Sequence, residues 1–115
     1  MKPLTLQQAR EFIAKTSGWT NFLHVSDSHI RAIPPNDDLR QELPNVFDPN
    51  CREALFWMHE AEETLCGNLY KLFNDRETHE RWCAYQAHLR YCIRATAPQR
   101  ARAFCQVFGF SVEDV

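Results

Sequence analysis

The chain has 115 residues and a net charge of −2, with 44% hydrophobic and 24% charged residues. That size is one domain, 1–115, and its 8 Phe, 3 Tyr and 3 Trp suffice to fill one core, so disorder is not expected. The lack of a basic excess argues against a whole-surface nucleic-acid binder, and no apolar run approaches the ~20 residues of a transmembrane helix.

The opening "MKPLTLQQAREF" lacks the apolar core of a signal peptide, which points to the cytoplasm. Thr5-Leu6-Gln7-Gln8 has the pattern of a capping box, in which a hydroxyl and an amide satisfy two orphan N–H groups. Leu6, Ala9, Phe12 and Ile13 follow at helical spacing, and Ser17-Gly18 supplies a left-handed stop. The spacing predicts a helix over 5–17. Leu23 and Val25, then Ile30 and Ile33, flank the polar turn cluster Ser26-Asp27-Ser28 and predict a hairpin of strands over 21–25 and 29–33. A lone hairpin is marginal, so it must pack on a helix or pair with another sheet edge.

Pro34-Pro35 ends the hairpin, and a long polar loop over 34–49 follows, carrying Asp37 and Asp38. Loops of that length inside a compact domain are either disordered or functional. Asn50-Cys51-Arg52-Glu53 is a second cap-like pattern, opening a helix that runs to Cys66 and stops at Gly67. Its apolar stripe is Ala54, Met58, Ala61 and Leu65, widened by Leu55, Phe56 and Trp57, with Glu60, Glu62 and Glu63 on the wet face. A third helix over 75–93 turns Trp82, Tyr85 and Leu89 inward. The fourth is short, capped by Thr96, with Pro98 in its first turn and Gln99 completing the box. Ala101, Phe104, Cys105 and Phe108 face its core, and Gly109 stops it. The expected fold is α+β, mostly α: four helices with one small β-hairpin packed on them.

Chemistry is harder to find. His59-Glu60-Ala61-Glu62-Glu63 sits one residue from the H-E-x-x-H of zinc hydrolases, with Glu63 where the second histidine belongs. A third ligand is missing, and His-Glu-Cys is not a usual catalytic zinc set. His79, Cys83, His88 and Cys92 form two i, i+4 pairs, but Cys83 to His88 is about 140° around a helix, so a single straight helix cannot aim all four at one ion. Cys51, Cys66, Cys83, Cys92 and Cys105 contain no C-x-x-C pair and read as free thiols. There is no G-x-S-x-G elbow and no phosphate-cradling glycine loop. No cofactor and no catalytic residue is therefore expected.

The charges are unevenly spread. Residues 51–75 hold Glu53, Glu60, Glu62, Glu63 and Asp75 against Arg52 and Lys71. Residues 76–102 hold Arg76, Arg81, Arg90, Arg94, Arg100 and Arg102 against Glu77 and Glu80. Two attracting helix faces explain this, and so does a bipolar surface for a macromolecular partner. The candidate partner-binding residues are Glu60, Glu62, Glu63, Asp37 and Asp38 on the acidic side, with Arg90, Arg94, Arg100 and Arg102 on the basic side. Trp19, Phe22 and Trp57 would add a contact patch where exposed.

In chain order, Gly18-Trp19 after the first helix, Ile33-Pro34-Pro35, "LPNVFDPN", Met58-His59-Glu60-Ala61 and the run from Ala95 to Phe104 resemble the phage ABA sandwich domain family of small phage and prophage proteins. The segment "GNLYKLFNDRETH" is longer and more helical than the family pattern, and "FSVEDV" lacks its tryptophan. The resemblance brings no catalytic residues. It implies a phage accessory product made inside a bacterial cell, acting by binding a host protein and inhibiting a defence system such as a CRISPR nuclease. Two other classes stay open: a nucleic-acid-binding accessory protein using the arginine face, and a metal-dependent hydrolase.

Overall fold

In the computed structural model, which describes residues 2–26, 29–35, 37–48, 50–67, 76–91 and 96–113 (without the side chains of 64–67, 79 and 85–91), both capping boxes form. Gln8 N–H donates to Thr5 Oγ1 at 3.1 Å and Thr5 N–H to Gln8 Oε1 at 3.0 Å. Thr96 and Gln99 repeat the exchange at 3.4 and 2.9 Å. These boxes start α1 (Leu6–Thr16) and the fourth helix, α4 (Ala97–Val107). Between them lie α2 (Ala54–Gly67) and α3 (Arg76–Tyr91). The architecture is α+β and mostly α, with four helices among the described residues.

The hairpin also forms. β2 (Thr20–His24) and β3 (Ile30–Ile33) pair antiparallel, with Leu23 opposite Arg31 and His24 opposite Ile30. The register shifts between Thr20 and Leu23, where Asn21 takes φ 55°, a conformation that asparagine tolerates better than most residues. β2 is held to α1 through His24, whose ring contacts Gln7 Nε2 at 2.8 Å and the Glu11 carboxylate.

Two parts of the sheet content differ from expectation. The 34–49 stretch is more than a polar loop: it contributes β4 (Gln41–Glu42), pairing with β3 through Arg31–Glu42 and Ala32–Gln41. It also sends Leu43 and Val46 fully into the core, and the Leu43 carbonyl accepts from the buried Arg10 guanidinium at 2.9 Å. The second difference lies at the chain ends. β1 (Lys2–Leu4) runs parallel to β5 (Phe110–Val112), with Lys2 beside Phe110 and Leu4 beside Val112. A three-residue strand shows no alternation to read, and its partner lies at the far end of the sequence.

α4 is the hub of the packing, touching α1, α2, α3 and β5. Ile13, Met58, Trp82, Phe104 and Cys105 are all fully buried around it, together with Ile30, Leu43 and Val46 from the sheet side. Each large apolar side chain so buried contributes roughly 1.5–3 kcal/mol. α2 begins at Ala54, later than the pattern at 50–53 predicts, because Asp48 turns the chain first by accepting from Asn50 N–H at 2.9 Å. Of the residues expected to widen its inner face, Trp57 is buried but Leu55 and Phe56 are 42% and 67% exposed. Leu65, Tyr85, Leu89 and the 68–75 segment lie outside the described residues and side chains. No described helix is long and apolar enough to cross a membrane.

Gly18 ends α1 at φ 97°, and a Cβ built there would meet Pro35 Cγ at 3.3 Å. Gly18→Ala combines a disfavoured left-handed backbone with pressure on that proline, and is expected to cost about 1–2 kcal/mol in urea denaturation. Cys105 makes a second prediction. Burial pushes its thiol up from 9.0 to about 12. Below pH 9 the thiol is neutral whether the chain is folded or not, so its full contribution is present. Above it the unfolded thiol ionises while the folded one keeps its proton. Stability therefore falls as pH rises from 9 towards 12, by up to about 1.4 kcal/mol per unit. The difference between wild type and Cys105→Ala, denatured at pH 8 and pH 10, isolates that slope.

Candidate functional site

The acids of α2 divide between two faces. Ala54, Trp57, Met58, Ala61 and Glu62 are buried, at the i, i+3, i+4, i+7, i+8 spacing of one helix stripe. Phe56, Glu60 and Glu63 fall at i, i+4 and i+7 on the outward side and are exposed. Glu62, which its charge places on the wet face, lies instead 8% exposed against α4. There Arg100, 7% exposed, grips it with both ends of its fork: Nε donates to Oε1 at 3.0 Å and Nη2 to Oε2 at 2.6 Å. Glu62 and Arg100 are thus turned toward each other, pinning α2 to α4, and neither presents its charge to the surface.

His59 belongs to the same group. Its Nδ1 accepts from Arg100 Nη2 at 3.4 Å, since a guanidinium can only donate. A metal ion on His59 and Glu63 would have to sit near that fixed cation. Among the described residues no three His, Cys, Asp or Glu side chains gather as metal ligands. Of the histidine–cysteine series, Cys83 is exposed on α3, while His79, His88 and Cys92 lie outside the described side chains.

The basic face is likewise reduced. Arg102 is half-buried and lies over the Phe47 ring, 5.4 Å from its centroid. Arg90 lies in α3 with its side chain not described, and Arg94 lies outside the described residues. Arg81 and Arg76 pair along α3 with Glu77 at 2.5 Å and Glu80 at 3.1 Å, both on the exposed surface.

The remaining candidates converge. Asp37, Glu60 and Glu63 line one groove of about 530 Å³, together with Ser17, Trp19, Pro34, Pro35, Gln41, Trp57 and Ala61. Trp19 and Trp57 meet edge to face there, centroids 6.2 Å apart. Asp37 builds the wall as well as lining it: Oδ1 accepts from Asp38 N–H at 2.7 Å and Oδ2 from Gln41 Nε2 at 2.5 Å. Asp38 is exposed beside it, next to Leu39, which is exposed as well. Of the expected aromatic patch, Trp19 and Phe22 are half-buried, Phe22 lies under the Lys15 ammonium, and Trp57 is buried.

Sequence reasoning named these three acids but not their meeting place, because Asp37 and α2 are far apart in the chain. It missed Arg10 altogether. That side chain is 3% exposed, its pKa lowered by burial against the opposing pull of Glu42, Cys51 and Glu11. Its position among Ala9, Ile13 and Ala14 on the inner face of α1 was the available signal. Comparisons with protein-family models, with curated proteins and with solved structures give no match to this chain.

Proposed function

We propose that this is a phage-encoded accessory protein that acts without catalysis, by binding a host protein through the outward face of α2 and the groove beside it. The expected class of target is a bacterial defence component such as a CRISPR nuclease. One observation carries the binding reading: Phe56, 67% exposed, shares its helix stripe with Glu60 and Glu63, which line the groove. A large aromatic ring held in water next to a walled, charged depression has the composition of an interface centre with its polar rim. The phage origin and the defence target rest on the resemblance of the motifs from Gly18-Trp19 to Ala95–Phe104.

A nucleic-acid reading has less support, because Arg100 is spent on Glu62 and Arg102 on Phe47. The test is affinity recovery of the tagged protein expressed in a bacterial host. A stoichiometric host protein retained by wild type and lost from Phe56→Ala supports the proposal; Phe56 is exposed, so the variant folds. Recovery of no such protein, or equal recovery by Phe56→Ala, overturns it.

A further inference from the structure

Trp57 leaves a hydrogen-bond donor unmet in the wall of the groove. Its side chain lines the depression beside Trp19, yet the residue is only 4% exposed. The indole Nε1, which can only donate, is shut off from water and has no acceptor among the described residues. Buried polar groups are paired with protein or with ordered water as a rule. A dry, unpaired N–H in a groove wall therefore marks where an occupant's acceptor completes the bonding.

The chemistry of that acceptor follows by elimination. Lysine and arginine side chains only donate, so neither meets an indole N–H. Carboxylates and phosphates accept, but Asp37, Glu60 and Glu63 line the same groove, with no lysine or arginine among its described residues. Asp37 already accepts from Asp38 N–H and Gln41 Nε2, so the acids set the sign of the rim and do not define the ligand. A neutral oxygen remains, and the peptide carbonyl is the one that every partner segment carries.

In helices and sheets the backbone carbonyls are already engaged, whereas in a polyproline II segment they have no internal partner and are free to accept. We infer that the groove receives a proline-rich segment of the partner protein in that conformation, with one backbone carbonyl accepting from Trp57 Nε1. The walls suit its rings. Trp19 is half-buried and Pro34 and Pro35 extend the apolar lining, so proline rings pack on an aromatic surface while the carbonyl meets the indole edge. Such a segment is already ordered before it binds, which keeps the cost of docking low.

This inference rests on the groove face being the partner-binding surface, and its test is separable from the recovery experiment. The probe is an acetylated, amidated peptide, Ala-Pro-Pro-Ala-Pro-Pro, titrated to millimolar concentration into the isotope-labelled full chain. The indole N–H signals of Trp19, Trp57 and Trp82 are assigned through bonds and followed by NMR. The expected result is saturable binding in which the Trp57 N–H moves downfield as its hydrogen bond forms, and Trp19 shifts with the packing of the rings. Added salt should leave the affinity unchanged, because the peptide carries no charge. Trp19→Ala should weaken binding about fivefold. The peptide Gly-Ser-Gly-Ser-Gly-Ser, which has the carbonyls but neither the rings nor the preset backbone, should not bind. No saturable shift overturns the inference, as does a Trp57 N–H that stays in place while other signals move. Equal binding by the Gly-Ser peptide or by Trp19→Ala also overturns it, as does a single-stranded oligonucleotide that shifts the same indoles. Should Trp19→Ala not fold, the Trp57 signal and the Gly-Ser control in wild type decide. If the proline peptide binds but no host protein is recovered, the host-protein reading fails alone. If a host protein is recovered and lost on Phe56→Ala while the peptide has no effect, the proline inference fails alone.

Discussion

Glu62→Ala is expected to destabilise the fold by about 3–5 kcal/mol, because it leaves the Arg100 guanidinium at the α2–α4 contact without its carboxylate. The size follows from burial. Side-chain exposures of 11% for Glu62 and 9% for Arg100 put the pair outside the regime of surface ion pairs, whose breakage costs about 1 kcal/mol or less. Two parallel N–H···O bonds, at 3.0 and 2.6 Å, also fix the geometry. Replacing both partners together, Glu62→Leu with Arg100→Met, should recover most of the loss, since no charge is then left buried alone. Urea denaturation of the single and double variants measures both effects. A loss below about 1 kcal/mol for Glu62→Ala would mean that water reaches the pair.

The second large effect is expected at Phe104, in the middle of the hub helix. Its ring is fully buried, 6.0 Å from Trp82, 6.4 Å from Phe12 and 5.6 Å from Phe108, centroid to centroid. Phe104→Ala removes those contacts and opens a cavity that three helices line, at a cost of about 3–5 kcal/mol. The effect should spread to the chain ends, because Phe12 also stacks edge to face on Phe110 in β5 at 5.0 Å. Amide exchange of β1 and β5 should therefore accelerate in the variant. Domains of this kind hold about 5–15 kcal/mol in total, so either substitution removes a large share. Denaturation of Phe104→Ala that matches wild type would contradict the placement of α4 at the centre.

What could be read in the sequence was what is local. The two capping boxes, the hairpin and the glycine stops at Gly18 and Gly109 depend on residues near one another in the chain, and each forms. The β1–β5 pair depends on the two chain ends meeting, and β4 is two exposed polar residues joined by backbone alone; neither leaves a side-chain pattern. Phe56 and Glu62 are a different kind of miss. Residue type places Phe56 inside and Glu62 outside, while helix arithmetic places Glu62 one turn from Met58 and Phe56 on the far side. The periodicity was the better guide. Arg100 carries the same signal, sitting between Ala97 and Phe104 on the buried stripe of α4, so two opposite charges embedded in two apolar stripes foreshadow a buried pair. The groove was legible only as its parts, three acids with no stated neighbours.

The central claim is that α2 divides neighbouring glutamates between folding and the surface, and one comparison tests it: urea denaturation of Glu62→Gln beside Glu63→Gln. The two changes are chemically identical and adjacent in sequence. Glu62→Gln should lose about 2 kcal/mol or more, and Glu63→Gln should stay within about 0.5 kcal/mol of wild type. Equal losses, or the larger loss at Glu63, would contradict the division and with it the outward face on which the binding proposal stands.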